Sequence, residues 1–188
     1  MLLHTPHSRR QFLQNTCKLA LAGASLSIAP SVNAAHSKVS KNFFLNLDHT
    51  HTHEKLSVTY RLGDQYLNSA LNRLNYFLRD HYSGAVGAMD PGLYDILDGI
   101  QSTLRVELPY QIISGYRDPH TNERLRTTRG GGVAKKSLHM EGKALDIRMP
   151  GVPLDELRDA ALSLNVGGVG YYPDSQFIHV DTGRVRSW

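Results

Sequence analysis

The chain has 188 residues, with 21 Lys and Arg against 17 Asp and Glu, ten His, one Cys and 40% hydrophobic residues. That length supports one ordinary domain or two small ones, and the mix of apolar and charged residues excludes a disordered chain and a membrane-embedded one. The formal charge of +4 would point to nucleic acid or an acidic surface, but residues 1–34 hold Arg9, Arg10 and Lys18 and no acid. Without those three, 18 basic residues face 17 acidic ones, so no nucleic-acid partner is expected.

The first segment reads as an address. Ser8-Arg9-Arg10-Gln11-Phe12-Leu13 sets a paired arginine before an apolar pair, Leu19–Ala29 is a weakly apolar run, and Val32-Asn33-Ala34 offers small residues at cleavage spacing. This is the order of a bacterial export signal, and the twin arginine points to the Tat route. The eleven residues of the run fall short of the about 20 that span a bilayer. The expectation is a Tat-type signal over 1–34, cleaved near Ala34, then a single domain over 36–188 with no stable membrane insertion, in the periplasm. Cys17 leaves with the signal. Disulfides, a Cys nucleophile and Cys-ligated zinc are thereby excluded, and any metal must be held by His, Asp or Glu.

Along the mature chain, Phe43–Leu47 and Leu56–Tyr60 read as two strands of a hairpin around a polar stretch. His49, His51 and His53 alternate within that stretch, where solvated side chains are expected. Leu67, Leu71, Leu74 and Leu78 recur at helical spacing across Tyr66–His81. Asp90-Pro91 opens a second helix with apolar positions at Leu93, Ile96, Leu97, Ile100 and Leu104. Tyr110–Ser114 is a strand, a short helix follows around Asn122–Thr127, and Gly130–Gly132 marks a loop. Ala144–Arg148 is a core strand, Pro153–Leu164 a third helix, and Val169–Tyr172 and Phe177–Asp181 close the chain as strands. Helices first and a small antiparallel sheet later predict an α+β fold with flanking helices.

Three ionisable residues stand where strands should be apolar. Alternation puts Asp146 on the face opposite Leu145 and Ile147, and puts His179 and Asp181 together on another strand face. His139 precedes Asp146 by seven positions, with Gly142 between them to permit a sharp turn. Two His and one carboxylate form the usual protein half of a catalytic zinc site, with water as the fourth ligand. Spacing alone leaves open a buried structural histidine instead.

Ser114-Gly115-Tyr116-Arg117, Ser137-x-His139-x(6)-Asp146, Gly167-Gly168-Val169-Gly170-Tyr171-Tyr172-Pro173 and Phe177-Ile178-His179-Val180-Asp181-Thr182-Gly183 occur in that order. The set resembles the zinc peptidases of the Hedgehog/DD-peptidase fold that cut peptidoglycan, and within them the Tat-exported murein endopeptidase K type. The resemblance covers the mature chain. It implies zinc (Zn2+) on His139, Asp146 and His179, and Arg117 holding the scissile carbonyl or a substrate carboxylate, where a structural salt bridge is the alternative. Many relatives carry Glu or Asp three residues before the last His ligand as base; here Gln176 stands there and cannot act as one. Asp181 is then either the base or an orienting carboxylate, and Asp174 either reaches the metal water or caps its turn. Ser137 supports the His139 loop. Tyr171 and Tyr172 either line the cleft or pack, and Lys135, Lys136, Arg126 and Arg129 either meet stem carboxylates or are solvated.

The function so implied is hydrolysis of peptide cross-links in peptidoglycan, at bonds to meso-diaminopimelate including 3-3 cross-links, by a monomer whose partners are peptide stems. A D-Ala-D-Ala carboxypeptidase and a non-catalytic zinc-dependent binding domain share the same ligand set and stand as alternatives.

Overall fold

The computed structural model describes residues 41–128 and 133–188, all of them within one unit, Val39–Trp188. The expected export signal, Arg129 and the Gly130–Gly132 loop lie outside the described residues. In chain order the elements are β1 (Asn42–His49), β2 (Lys55–Leu62), β3 (Gln65–Tyr66), α1 (Asn68–Phe77), α2 (Gly92–Leu104), β4 (Tyr110–Ser114) and α3 (Pro119–Thr128). A 3-10 turn (Leu138–Glu141), β5 (Ala144–Arg148), α4 (Leu154–Ser163), β6 (Gly168–Tyr172), β7 (Phe177–Asp181) and β8 (Arg186–Ser187) follow.

The layout is α+β, but the sheet is neither small nor antiparallel throughout. Eight strands form one mixed sheet in the order β3-β2-β1-β4-β5-β7-β6-β8. The β1–β2 hairpin buries Leu45, Leu47, Leu56, Val58 and Tyr60 on one face, and the edge of β1 away from β2 is taken by a later strand. β1 runs parallel to β4, with Leu47 opposite Tyr110, and β6 runs parallel to β8. A parallel pair needs a long crossover, and α1 and α2 supply it between β1 and β4.

α2 is held at its start as expected: Gly92 N–H donates to Asp90 Oδ1 at 2.9 Å, an N-terminal cap. Its Leu93, Tyr94, Ile96, Leu97 and Ile100 are buried against α4 and the sheet. α1 is shorter than the leucine spacing predicts. Tyr66 is taken by β3, which pairs with β2. At the other end Asp80 accepts the N–H groups of Tyr82 at 2.8 Å and Asp118 at 2.9 Å, so its carboxylate builds a loop in place of another helical turn.

Candidate metal centre and catalytic cleft

β5 and β7 are adjacent and antiparallel, in a register that puts Asp146 directly opposite His179. Leu145 and Ile147 point into the core with no exposed surface, so alternation delivers Asp146 to the opposite face. His139 arrives from the 3-10 turn. Its carbonyl accepts Arg117 N–H at 3.1 Å, and Gly142, at φ +67°, bends the chain back into β5. The three residues are buried, and their ligand atoms lie within 4.8 Å of one another.

Hydrogen bonds behind each ring decide which nitrogen carries its proton. His139 Nδ1 stands 2.7 Å from the Gly115 carbonyl, which can only accept, so Nδ1–H donates and a neutral ring keeps its lone pair on Nε2. His179 Nε2 stands 3.1 Å from Asp181 Oδ2, and with the proton on that nitrogen a neutral ring keeps its lone pair on Nδ1. Those two lone pairs face Asp146 Oδ1 at 3.2 and 2.9 Å. Three acceptors with no donor among them are satisfied by a cation, or by an extra proton on a ring. Two imidazole nitrogens and a carboxylate oxygen suit zinc in number and chemistry, and the carbonyl and carboxylate behind the rings are the supports that zinc histidines use.

The charges agree. Burial would push the Asp146 carboxyl up, but His139 and His179 outweigh it and hold it well below the usual carboxylate range. Burial would lower His179, but its hydrogen bonds to Asp146 and Asp181 raise it to about 8. A site that in the absence of metal stabilises a proton among these atoms is built for positive charge.

The cluster opens on a cleft of about 390 Å³. Arg117 lines it, with Nη2 at 3.8 Å from Asp146 Oδ2 and 3.3 Å from Ser114 Oγ. Asp181 and Asp174 are not among the lining residues. Asp181 has no exposed surface. It accepts Arg186 through both carboxylate oxygens, at 3.0 and 2.6 Å, and the N–H groups of Gly168 at 3.0 Å and Gly183 at 2.8 Å, besides His179. Burial opposes its ionisation, yet these donors hold it well below its ordinary range. Asp174 is exposed on the β6–β7 turn, as is Gln176, which adopts φ +55° there. Ser137 is buried in the cleft wall, and its carbonyl accepts Met140 N–H.

His49 corrects the expectation of solvated histidines. It is only 2% exposed, and its Nδ1 accepts the N–H groups of His51 at 3.2 Å and Thr52 at 3.3 Å, folding the hairpin connection over itself. His51 lines the cleft and stacks on His81 with centroids 4.0 Å apart, and His81 in turn packs on Tyr82. His53 is exposed. Tyr172 and Lys136 line the cleft, whereas Tyr171, Lys135 and Arg126 do not. Sequence reasoning missed His81, Arg186 and Trp188 as parts of the site. Of these, only Trp188 carried a signal of its own, being the single tryptophan of the chain.

Residues 37–188 match the peptidase M15 family described as peptidoglycan L,D-endopeptidase MepK. The peptidoglycan L,D-endopeptidase MepK of Escherichia coli K12 is 42% identical over 172 residues, covering 90% of this chain and 94% of the relative. The Shigella flexneri protein of that name shows the same figures. A probable peptidoglycan L,D-endopeptidase MepK of Haemophilus influenzae is 41% identical over 173 residues, covering 90% of this chain and 92% of the relative.

Proposed function

The chain belongs to the M15 peptidase family described as peptidoglycan L,D-endopeptidase MepK, and from that membership we propose that it is a zinc-dependent murein endopeptidase hydrolysing peptide cross-links of peptidoglycan. The observation that carries the zinc dependence is the convergence of His139 Nε2, Asp146 Oδ1 and His179 Nδ1 as three acceptors on the floor of the cleft. The finer reading is cleavage at bonds to meso-diaminopimelate, including 3-3 cross-links, by a monomer of Hedgehog/DD-peptidase fold. It occupies the periplasm as one domain over 36–188, after Tat export and removal of 1–34. No helix among the described residues is long and apolar enough to cross a membrane.

Bound by His139, Asp146 and His179, zinc supplies a Lewis acid that polarises the scissile carbonyl and brings the pKa of water towards about 7. The protein's own residues do the rest. Arg117 presents its guanidinium beside Asp146, where a developing oxyanion or a substrate carboxylate is stabilised. Asp181, itself clamped by Arg186, keeps the proton of His179 on Nε2 so that Nδ1 stays a ligand. Asp174 lies exposed on the β6–β7 turn, outside the cleft lining, and takes no part in this scheme. Arg117, Lys136 and Arg186 line the cleft beside Asp80 and Asp146, with Arg186 paired to Asp181, so Arg117 and Lys136 are the cations placed to meet the carboxylates of anionic stems.

The test is digestion of purified muropeptides. Dimers, 3-3 cross-linked ones above all, go to monomers; a chelator stops this and zinc restores it. Asp146→Ala lowers zinc occupancy and turnover by more than about a hundredfold, beyond what loss of a supporting group costs. Trimming of monomer stems with dimers left intact would instead identify a carboxypeptidase.

A further inference from the structure

Among the cleft residues used by neither the metal centre nor the oxyanion role is a tryptophan. Trp188 lines the cleft and is 50% exposed. Indoles have a large apolar face and are spent on recognition where one face stays open. This one is held in place rather than loose. Its Nε1–H donates to Tyr172 Oη at 2.7 Å, and its ring stands 5.3 Å from that of His179. The Arg186 guanidinium lies over the ring at 4.8 Å. The Trp188 backbone pairs with Val169 and Tyr171. Gly170 leaves the space the indole occupies, since a Cβ there would stand 2.7 Å from the indole carbons. Tyr172 and Phe177, stacked at 4.7 Å, continue the same wall of the cleft.

We propose that Trp188 is a substrate-positioning residue: the exposed part of its indole packs against the aliphatic side chain of the stem residue next to the scissile bond. This rests on the endopeptidase reading. The wall is fixed, aromatic and adjacent to His179, so a chain packed on it lies beside the reacting centre. The cations Arg117 and Lys136 in the same cleft meet the charged groups that flank such a side chain. Rigid apolar contact of this kind binds ground state and transition state alike, which raises affinity without altering the chemical step.

The experiment uses zinc-loaded full-length protein and purified muropeptide dimers. Trp188→Ala raises KM roughly tenfold, the size of one aromatic contact with its buried area, with kcat within about twofold and zinc affinity unchanged. Trp188→Phe keeps a flat apolar face and recovers most of the loss. Because Trp188 is the only tryptophan, wild-type emission shifts on mixing with dimers and relaxes as they are consumed, a readout that requires no substitution. An unchanged KM in Trp188→Ala overturns the proposal, and so does a parallel loss of zinc affinity and kcat, which would mean that the indole acts only through His179. If Trp188→Ala does not fold, the Phe variant and the wild-type emission decide, and no emission change with saturating dimers overturns it. A wild type inactive on dimers overturns the endopeptidase reading itself, whereas an active wild type with an insensitive Trp188 overturns this inference alone.

Discussion

A carboxylate beside a metal-binding histidine can take a proton or hold one in place, and what separates the two is how many donors already occupy it. Asp181 accepts from His179, Arg186 on both oxygens, Gly168 and Gly183, with no surface left to water. On the proposed function it acts as an orienting group rather than as the base. Asp181→Asn leaves Arg186 without its ion pair and presents His179 Nε2 with a weaker acceptor, so zinc affinity falls about 10- to 100-fold. Arg186→Ala has the same direction and a smaller size. Competition against a chromophoric chelator measures both; intact zinc affinity with lost turnover in Asp181→Asn would mean that Asp181 is the base after all. The pairing of His179 with Asp181 was legible, because residues two apart on a strand share a face. Its role was not, since the deciding donors come from the β6 start and the β8 strand, which no local pattern links to β7.

At the scale of elements, the 3-10 turn shows how a short segment sets the candidate metal site. Gly142 ends it at φ +67°, its carbonyl accepts Asp90 N–H at 2.8 Å, and a Cβ there would overlap the Ala88 carbonyl oxygen. Gly142→Ala therefore adds a left-handed penalty of about 1–2 kcal/mol to a clash that no flexible side chain can relieve. The turn must shift, and His139 with it, so the variant loses both melting temperature and zinc affinity. Gly151 is the control. It has φ +92° but only Leu108 within reach, at 3.4 Å, so Gly151→Ala lowers melting temperature and leaves zinc affinity alone. Gly142 was readable as a turn from its place between His139 and Asp146. The strands β4, β5 and β7 were readable to the residue, because Tyr110–Ser114, Ala144–Arg148 and Phe177–Asp181 are short β-favouring segments with clear ends, the last two alternating apolar and ionisable residues. β3 and β8 were not: two residues have no periodicity. Nor were the parallel β1–β4 and β6–β8 pairs, which depend on what the helices carry across the sheet rather than on any strand's own sequence.

For the molecule as a whole, the histidines set opposing limits on stability across pH. Burial, together with neighbouring imidazoles, lowers both His49 and His81 to about 4, with Arg79 acting on the first and Arg117 on the second. Each has a buried Nε2 with no hydrogen-bond partner among the described residues. Above about 6.5 both are neutral in folded and unfolded chains and cost nothing. As pH falls from there to about 4, the unfolded chain takes up protons that the folded one refuses, so stability drops. Below that, Asp146 and Asp181, ionised and hydrogen-bonded in the fold, add their own loss. His179 has the opposite sign. Its folded value near 8 means that, without metal, its contribution is full below about 6.5 and disappears as pH rises through 8. The melting temperature of metal-free protein therefore peaks near pH 6.5 and declines on both sides. Zinc on His179 replaces the proton and flattens the alkaline limb. His49→Asn flattens the acid limb, because Oδ1 of Asn can accept the His51 and Thr52 N–H groups that Nδ1 now takes while removing one group that titrates. Calorimetry from pH 4 to 9, with and without zinc, tests both limbs. An acid limb unchanged in His49→Asn would assign that loss to the remaining imidazoles, and an alkaline limb that survives zinc would remove His179 from the ligand set.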